Sequence, residues 1–335
     1  MMKRDKIKKF ISTMLVTVLC VVLTSCGVSS GGGNVNASSV NGKGIKAILT
    51  ISDASDAFRS TLAAAAEQAA GQCGMELEVL DAAGSSETQM NHIKQATDAD
   101  VIICALCDSG TAQQMEALAG DKPIVFINSC PDEDYLEANK YVYVGSDEGV
   151  AGGLQAEYVL DKFSSKDTLN VAIIKGESTH SATKGRTKAN KAVLEASGKT
   201  INYVYEDYAD WSTEIAENMF DLFLKTKQPI DAVLCNNDSM AIGIVQSMEK
   251  NGISFDSVPV LGVDATSDGL ASIEAGKLAC TIFQPAEGQG KLAVAAAVQL
   301  VKGENLSSLE GAEDNNLYAW VSFEQVTKSN VGDYK

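Results

Sequence analysis

Polar side chains able to bond a ligand follow most of the apolar runs in this sequence. They are acidic or uncharged groups, accompanied by one tryptophan and by an arginine, Arg186, that lies nearby in the chain. Amide and carboxyl groups bond hydroxyls, and an aromatic face packs on the apolar C–H face of a sugar ring. A phosphate or carboxylate ligand would instead require several cations or a glycine-rich loop. The pattern therefore favours a site for an uncharged, polyhydroxylated molecule. The set comprises Asp53, Asp56, Asn128, His180, Asp210, Trp211, Asn236, Asn237, Asp238, Asp264 and Gln284.

Each of these residues also has a purely structural interpretation. Aspartate, asparagine and threonine after a strand are common helix N-caps, and Asp56, Asn237 and Thr266 fit that role. Phe58 and Trp211 fit equally well as ordinary core aromatics. The binding hypothesis therefore depends on the joint occurrence of these residues at one edge of the fold.

Groups that catalysis would require are scarce. The sequence has no G-x-S-x-G motif and no P-loop, and its two histidines are His92 and His180. The glycines within 145–153 miss the G-x-G-x-x-G spacing of a dinucleotide site. Paired carboxylates such as Asp56 and Asp264 are able in principle to cleave a glycoside. We predict a binding protein rather than an enzyme, with no cofactor.

The amino terminus has the order of features expected of an exported protein. A basic run at residues 3–9 precedes an apolar stretch, Phe10–Leu23, which is short for a helix crossing ~30 Å of hydrocarbon but suits a secretory signal. Leu23-Thr24-Ser25-Cys26-Gly27 resembles the lipobox of bacterial lipoproteins, in which the cysteine is lipidated. The alternative is a buried helix at the start of the fold. We predict a signal peptide over residues 1–25, lipidation of Cys26, a tether over residues 26–43 and a location outside the cytoplasm, anchored to the cell membrane by lipid.

The charge of the chain is strongly acidic. The net charge of −17 becomes −21 once the predicted signal, with five basic residues and one acidic residue, is removed. Such a surface repels nucleic acid and anionic lipid headgroups, so we expect neither as a partner. The remaining length suggests two domains, each large enough for its own core.

The cysteines are predicted to be core residues. Cys104, Cys235 and Cys280 lie within or beside apolar runs, where cysteine behaves as a small hydrophobe. Cys104 and Cys107 have C-x-x-C spacing, but the sequence offers no second pair of cysteines or histidines to complete a zinc site. We therefore expect no metal site.

Apolar runs rich in valine and isoleucine alternate with helical patterns along the chain. Such runs are typical of strands buried on both faces, and βαβα alternation predicts parallel sheets covered by helices. A 3.6-residue period runs from Phe58 to Cys73, and another from Ile242 to Met248 ends at a predicted C-cap, Gly252. The predicted strands are Ile45–Ile51, Glu76–Leu80, Val101–Ala105, Ile124–Ile127, Tyr141–Val144, Leu169–Lys175, Ile201–Tyr205, Ala232–Leu234, Val258–Val263 and Ala279–Phe283.

Residues 45–335 resemble the periplasmic sugar-binding proteins of the ribose/galactose type. The most specific segments are Cys235–Gly243, Gly262–Ala265 continuing to Gly276, and Gly176–His180 leading to Arg186. The last of these, with the segment Asp56-Ala57-Phe58, Asn128 and Trp211, is most similar to the glucose/galactose-binding members.

The resemblance implies a site and a ligand class. Phe58 and Trp211 would sandwich a sugar ring, and the polar residues would bond its hydroxyls. That polar set is Asp56, Asn128, His180, Arg186, Asn237, Asp264 and, from the hinge side, Gln284. The expected ligand is a neutral monosaccharide of the galactose/glucose kind, with a pentose, inositol or furanose as alternatives.

Two residues depart from the glucose/galactose pattern. Ala182 stands where those members carry an acid, and Gln284 stands where an asparagine is usual. A buried hydroxyl left without its acceptor costs ~1–3 kcal/mol, enough to change the preferred sugar. The stretch from Asp161 to Asn170 also lacks the acidic spacing of a calcium loop, so no calcium site is expected.

The resemblance further implies two doubly wound α/β lobes joined by a three-strand hinge, the type I periplasmic binding protein fold. The first lobe would comprise residues 44–145 and 285–316, and the second residues 147–284 and 317–335. Closure of a monomer around its ligand would present it to an ABC permease, or to a chemoreceptor or sensor kinase. A transcription regulator with this effector fold would need a basic helix-turn-helix in place of the signal and tether.

Overall fold

The computed structural model describes residues 40–335. The predicted signal peptide, Cys26 and most of the predicted tether lie outside the described residues. Within residues 40–335, no helix combines the length and the hydrophobicity needed to cross a bilayer.

The described residues form twelve strands and nine α-helices that alternate along most of the chain. In chain order these are β1 (Lys46–Ile51), α1 (Ala57–Cys73), β2 (Glu76–Asp81), α2 (Ser86–Gln95), β3 (Val101–Cys104), α3 (Ala112–Ala119), β4 (Ile124–Ile127), β5 (Tyr141–Gly145), α4 (Glu148–Lys162), β6 (Thr168–Lys175), α5 (Ser181–Ala196), β7 (Thr200–Tyr208), α6 (Thr213–Leu224), β8 (Ala232–Cys235), α7 (Asp238–Asn251), β9 (Val260–Leu261), α8 (Ser267–Glu274), β10 (Cys280–Phe283), α9 (Ala286–Val301), β11 (Tyr318–Trp320) and β12 (Glu324–Thr327).

Two six-stranded sheets organise these elements into two lobes. The first sheet has the order β11-β5-β4-β3-β1-β2, and all of its strands are parallel. The second has the order β12-β10-β9-β8-β6-β7 and is parallel except for its edge strand β12. Helices α1 and α9 pack on one face of the first sheet and α2 and α3 on the other. The second sheet is covered by α6, α7 and α8 on one face and by α4 and α5 on the other. Two doubly wound α/β lobes result, as predicted.

The chain passes between the sheets three times. The passages lie between β5 and α4, between β10 and α9, and between β11 and β12. The third passage differs from the predicted layout, which assigns all residues from 317 onward to the second lobe. Tyr318 and Trp320 instead extend the first sheet by pairing with Tyr143 and Gly145. Their rings also pack on the ring of Tyr143, with Trp320 stacked on Tyr318, so the residues after 316 begin as part of the first lobe.

All ten predicted strands are present, with differences at their ends. The predicted strand Val258–Val263 shortens to Val260–Leu261, and the predicted strand Ile201–Tyr205 lengthens to Thr200–Tyr208. Gly252 ends α7 in the left-handed conformation as predicted, and its N–H bonds the carbonyls of Glu249 and Met248. The strands β11 and β12 were not predicted from the sequence, because one has only three residues and three of the four residues of the other are polar.

The cysteines of the described residues are free thiols. Cys104, Cys235 and Cys280 are fully buried in the cores, which confirms their predicted role there. Burial raises the pKa of Cys107 to about 11 and that of Cys130 to about 12, so both thiols stay protonated near neutral pH. Within residues 40–335, no group of three His, Cys, Asp or Glu side chains comes together as a metal site.

Glycines allow close contact where pairs of helices cross. A Cβ at Gly243 in α7 would lie 2.2 Å from the carbonyl oxygen of Thr213 in α6. A Cβ at Gly290 in α9 would lie 2.7 Å from the backbone nitrogen of Ala66 in α1. Because real Cβ contacts are longer than this, these backbones approach each other only where a side chain is missing.

We expect Gly243→Ala to destabilise the protein, because the new methyl group has no room between α6 and α7. Overpacking of this kind costs about 1–3 kcal/mol, measurable as a lower free energy of unfolding in urea. Gly71→Ala is the matched control, because its Cβ would meet nothing within 4 Å on the exposed face of α1. There alanine should stabilise by about 0.5–1 kcal/mol. Equal effects of the two substitutions would contradict the close helix contact.

Candidate functional site

A pocket lies between the two lobes, at the carboxyl ends of the strands of both sheets. The empty space between its lining atoms is about 270 Å³, which includes space open to solvent. The lining residues are Asp56, Phe58, Arg59, Asn128, His180, Ala182, Arg186, Trp211, Asn237, Asp264 and Gln284. All nine residues predicted to bind a ligand are among them.

Three of these residues are also helix N-caps. Asp56 accepts a hydrogen bond from the backbone N–H of Arg59 at 2.9 Å, and Asn237 accepts one from Met240 at 3.0 Å. His180 caps α5 through Nδ1, which accepts from the N–H of Ala182 at 3.1 Å. Both interpretations of these residues are therefore correct at once, because the hydrogen bond that caps the helix also orients the side chain that faces the pocket. Thr266 caps α8 and does not line the pocket.

Unusual backbone conformations direct several of these side chains. Asn128, Trp211 and Asp264 have φ angles of 62°, 64° and 114°, in the region that residues with a Cβ rarely occupy. Each lies just after a strand, where the chain turns sharply away from the sheet. Strain of this kind persists where the surrounding structure imposes it and is common at functional sites.

Arg186 is the centre of a buried polar network. Only 2% of its surface is exposed, and its Nε donates to Glu148 at 2.6 Å. Its Nη1 donates to the carbonyl of Asn236 at 2.6 Å, and its Nη2 donates to Gln284 at 2.9 Å. Burial opposes the charge of the guanidinium, but Glu148 and Asp264 outweigh it and raise the pKa of Arg186. These bonds occupy three of the five N–H groups of the guanidinium, which leaves donors for a ligand.

Asp264 has a carboxylate available for bonding. Its nearest cationic atom is Nη1 of Arg186 at 3.8 Å, longer than a hydrogen bond. Burial raises the pKa of Asp264 well above its usual range, and the neighbouring carboxylates of Asp238, Asp56 and Glu148 add to the effect against the opposing influence of Arg186. Hydrogen-bond donors from a ligand would stabilise the ionised form of this buried carboxylate.

The aromatic residues come from opposite lobes. Phe58 lies on α1 and is 6% exposed, while Trp211 follows β7 and packs edge-on against His180, with ring centroids 5.3 Å apart. The indole is seated on Gly176, where a Cβ would lie 2.2 Å from the ring. The lining position of Trp211 therefore depends on the missing side chain at residue 176.

Direct bonds join the two lobes around the pocket. Arg59, 5% exposed, pairs with Glu177 of the second lobe at 3.2 Å. Because Nδ1 of His180 is an acceptor, its Nε2 carries the proton and donates to Oδ1 of Asn128 at 3.2 Å. Arg59 was not identified from the sequence as a pocket residue. A signal for it was present in the sequence: Arg59 lies three residues after Asp56 at the start of a helix, and residues three apart on a helix lie on the same face.

A pocket of this kind, enclosed by two α/β lobes, defines a two-lobed protein that binds small molecules. The family model described as a periplasmic binding protein domain matches residues 47–305. The chain belongs to this family, which confirms the family and the fold class predicted from the sequence. Membership also implies a location outside the cytoplasm.

Individual relatives extend the comparison. A putative rhizopine-binding protein of Rhizobium meliloti is 34% identical over 267 residues, covering 78% of this chain and 83% of the relative. A D-galactose/methyl-galactoside binding periplasmic protein of Haemophilus influenzae is 26% identical over 230 residues, covering 65% and 69% of the two chains. A solved ABC transporter solute binding protein from Bacillus halodurans with bound myo-inositol is 30% identical, with a TM-score of 0.76 and coverage of 88% and 98%.

We expect Gly176→Ala to displace the Trp211 indole, because the new Cβ would overlap the ring. The chain has two tryptophans, so in a Trp320→Phe background the emission spectrum reports Trp211 alone. A red shift of that emission is the expected result, since the ring moves toward solvent. Gly153→Ala is the control, because its nearest neighbour would be 4.0 Å away. Identical spectra for the two variants would show that the ring does not depend on Gly176.

The neutral state of His180 makes the stability of the protein depend on pH. Burial, followed by the charges of Arg59, Arg186 and Lys184, lowers the pKa of His180 well below its usual range. The unfolded chain therefore binds more protons below pH ~6.5, so this stabilising contribution is lost as the pH falls. Between pH 7 and 5.5 the loss should be about 1 kcal/mol of the free energy of unfolding. His180→Asn retains a capping acceptor and should reduce that loss by the same amount, whereas parallel pH profiles would contradict a neutral His180.

Proposed function

We propose that this protein captures a neutral polyol ring outside the cell and delivers it to an ABC importer by closing its two lobes, without chemical turnover. The observation that carries the proposal is the pocket itself, which brings together hydroxyl-bonding side chains from six separate chain segments with two aromatic faces. Membership of the periplasmic binding protein family supports the general activity, which is sugar binding for ABC transporters.

Each part of the pocket has a role in this proposal. Phe58 and Trp211 cover the apolar C–H faces of the ring from the two lobes. Asp264 and Asp56 accept hydrogen bonds from ring hydroxyls, and Arg186 donates to hydroxyl oxygens of the ring. Asn128, His180, Asn237 and Gln284 complete the polar lining. A hydroxyl that bonds both the Asp264 carboxylate and the Arg186 guanidinium, 3.8 Å apart, would have its donor and acceptor sides satisfied.

The first ligand to test is myo-inositol, and galactose and glucose come second. Ala182, 1% exposed, presents a methyl group where the glucose/galactose pattern has an acid. A pyranose hydroxyl that needs that acceptor would lose about 1–3 kcal/mol. The Bacillus halodurans neighbour was solved with bound myo-inositol, whereas the galactose-binding relative is more distant, at 26% identity. The prediction of a galactose/glucose-like ligand therefore stays open beside the inositol proposal.

Lobe closure is the proposed signal to the membrane partner. The bonds between Arg59 and Glu177 and between His180 and Asn128 form only when the lobes meet around the pocket. Closing buries the ring from both sides, and the closed surface differs from the open one. The proposed partner is an ABC permease, and a sensor kinase or chemoreceptor is the alternative. Co-purification from membranes of cells that carry Cys26, the proposed lipid anchor, distinguishes these partners.

Isothermal titration against myo-inositol, galactose, glucose, ribose, xylose and arabinose tests the proposal. We expect tight one-to-one binding of one ring, with Trp211→Ala and Asp264→Asn each weakening it by about 100-fold, as for central contacts in a desolvated site. Trp320→Phe is the matched control, since that aromatic residue packs in the first lobe away from the pocket. If the folded protein, stripped of carried-over ligand, takes up none of the six compounds, the proposed ligand class is wrong.

A further inference from the structure

Asp238 is a buried carboxylate beside the pocket that does not line it. It is the first residue of α7, directly after Asn237, and it is fully buried. One carboxylate oxygen accepts from the hydroxyl of Thr281 at 2.6 Å. The other accepts from the backbone N–H of Thr266 at 2.8 Å and from its hydroxyl at 3.2 Å. Three donors from two other chain segments therefore bond this carboxylate.

Two glycines make room for this carboxylate. A Cβ at Gly262 would lie 2.1 Å from one oxygen of Asp238, and a Cβ at Gly269 would lie 2.1 Å from the other. The backbone of both neighbouring segments therefore packs directly onto the carboxylate. An enclosure this tight holds the carboxyl group in one orientation.

The segment held by Asp238 carries Asp264 of the pocket. Asp264 and Ala265 have φ angles of 114° and 53°, so the turn is strained at two successive residues. The N–H of Ala265 donates to the Thr281 hydroxyl at 3.2 Å, and that hydroxyl donates in turn to Asp238. The N–H of Thr266 donates to Asp238 directly. The strained turn is therefore bonded to one carboxylate, through one hydroxyl relay and one direct contact.

We propose that Asp238 is a positioning residue that sets ligand affinity by holding the 264–266 turn, and with it the Asp264 carboxylate, in the binding conformation. This inference rests on the proposed function of the pocket. Asp238 also starts the helix capped by Asn237, so one carboxylate fixes two neighbouring ligand-bonding groups.

The energetics of Asp238 agree with a role in binding rather than in stability. Burial raises the pKa of Asp238 to about 6, although the bonds from Thr281 and Thr266 and the charge of Arg186 act in the opposite direction. The nearby Asp264 carboxylate shares this environment. The folded state therefore disfavours the ionised form relative to the unfolded chain, so burial of this charge is unfavourable for folding at neutral pH.

The first test is a double-mutant cycle of binding affinity, using myo-inositol or galactose, whichever the unaltered protein binds. Asp238→Asn replaces one acceptor by a donor facing donors, and we expect a Kd about tenfold higher, equal to ~1.4 kcal/mol. In an Asp264→Asn background the same substitution should add little, because the carboxylate it positions is gone. Fully additive effects, or an unchanged Kd, would overturn the proposal.

Two further variants separate positioning from folding. Thr281→Val removes the relay hydroxyl and should weaken binding, while Thr281→Ser keeps the hydroxyl and should restore affinity to within about twofold. Asp221→Asn is the matched control, since Asp221 also accepts hydrogen bonds from Ser247, Lys250 and Asn251 but at the outer end of α7. It should lower the Tm and leave the Kd unchanged. Asp238→Asn should raise the Kd whatever its effect on the Tm, because the Asp221→Asn control separates a loss of stability from a loss of affinity.

Amide hydrogen exchange tests the same inference without a ligand, and so separates its failure from a failure of the proposed function. The N–H groups of Ala265 and Thr266 should exchange faster in Asp238→Asn and Thr281→Val than in Thr281→Ser. Unchanged exchange across residues 264–266 would show that the turn does not depend on Asp238. If no titration shows binding but amide exchange changes as expected, the proposed ligand class is wrong, and the dependence of the 264–266 turn on Asp238 is retained.

Discussion

The burial of the Arg186 guanidinium is the interaction around which the pocket is organised. A buried charge is tolerated only when it is paired and hydrogen-bonded, and here its partners come from four chain segments. Glu148 lies on α4, Asn236 follows β8, Asp264 follows β9 and Gln284 follows β10. Removal of any partner would leave the charge less well compensated, so the segments that surround the ligand are held to one another by a shared electrostatic requirement. Gln284 is also next to a passage between the lobes, which connects this network to the hinge.

Parallel-sheet topology explains how so many polar groups reach one place. The carboxyl ends of parallel strands lie on the same edge of a sheet, and in this protein the edges of two such sheets face each other across the pocket. The turn after most of these strands leaves the sheet and begins a helix, which calls for a capping side chain and often for a left-handed residue. Asp56, His180 and Asn237 serve as caps and line the pocket at the same time. Helix capping and pocket lining therefore coincide in single residues, and a substitution at any of them alters both a helix terminus and the pocket.

The pocket combines groups that are held within one lobe with groups supplied by the other. Contacts within the second lobe alone hold two of them, because Trp211 is seated on Gly176 and Asp264 is carried by a strained turn bonded to Asp238. Phe58, Arg59 and Asn128 belong to the first lobe and line the opposite side of the pocket. In the proposed closure, preorganisation of one half would reduce the ordering cost of binding.

The sequence by itself determined the order and type of the elements, because long alternating apolar runs and helical periods reflect burial that is local along the chain. Together with the family resemblance, it also led to nine of the eleven residues that line the pocket, since each of the nine lies just after a strand or in the first turns of the following helix. The tertiary structure decided which side chains meet across large sequence separations. Arg59 with Glu177, Arg186 with Glu148, the pairing of β11 with β5 and the link from Asp238 to the 264–266 turn are of this kind. No local pattern encodes these contacts, because each depends on how separately folded segments pack and on which buried charges must then find partners.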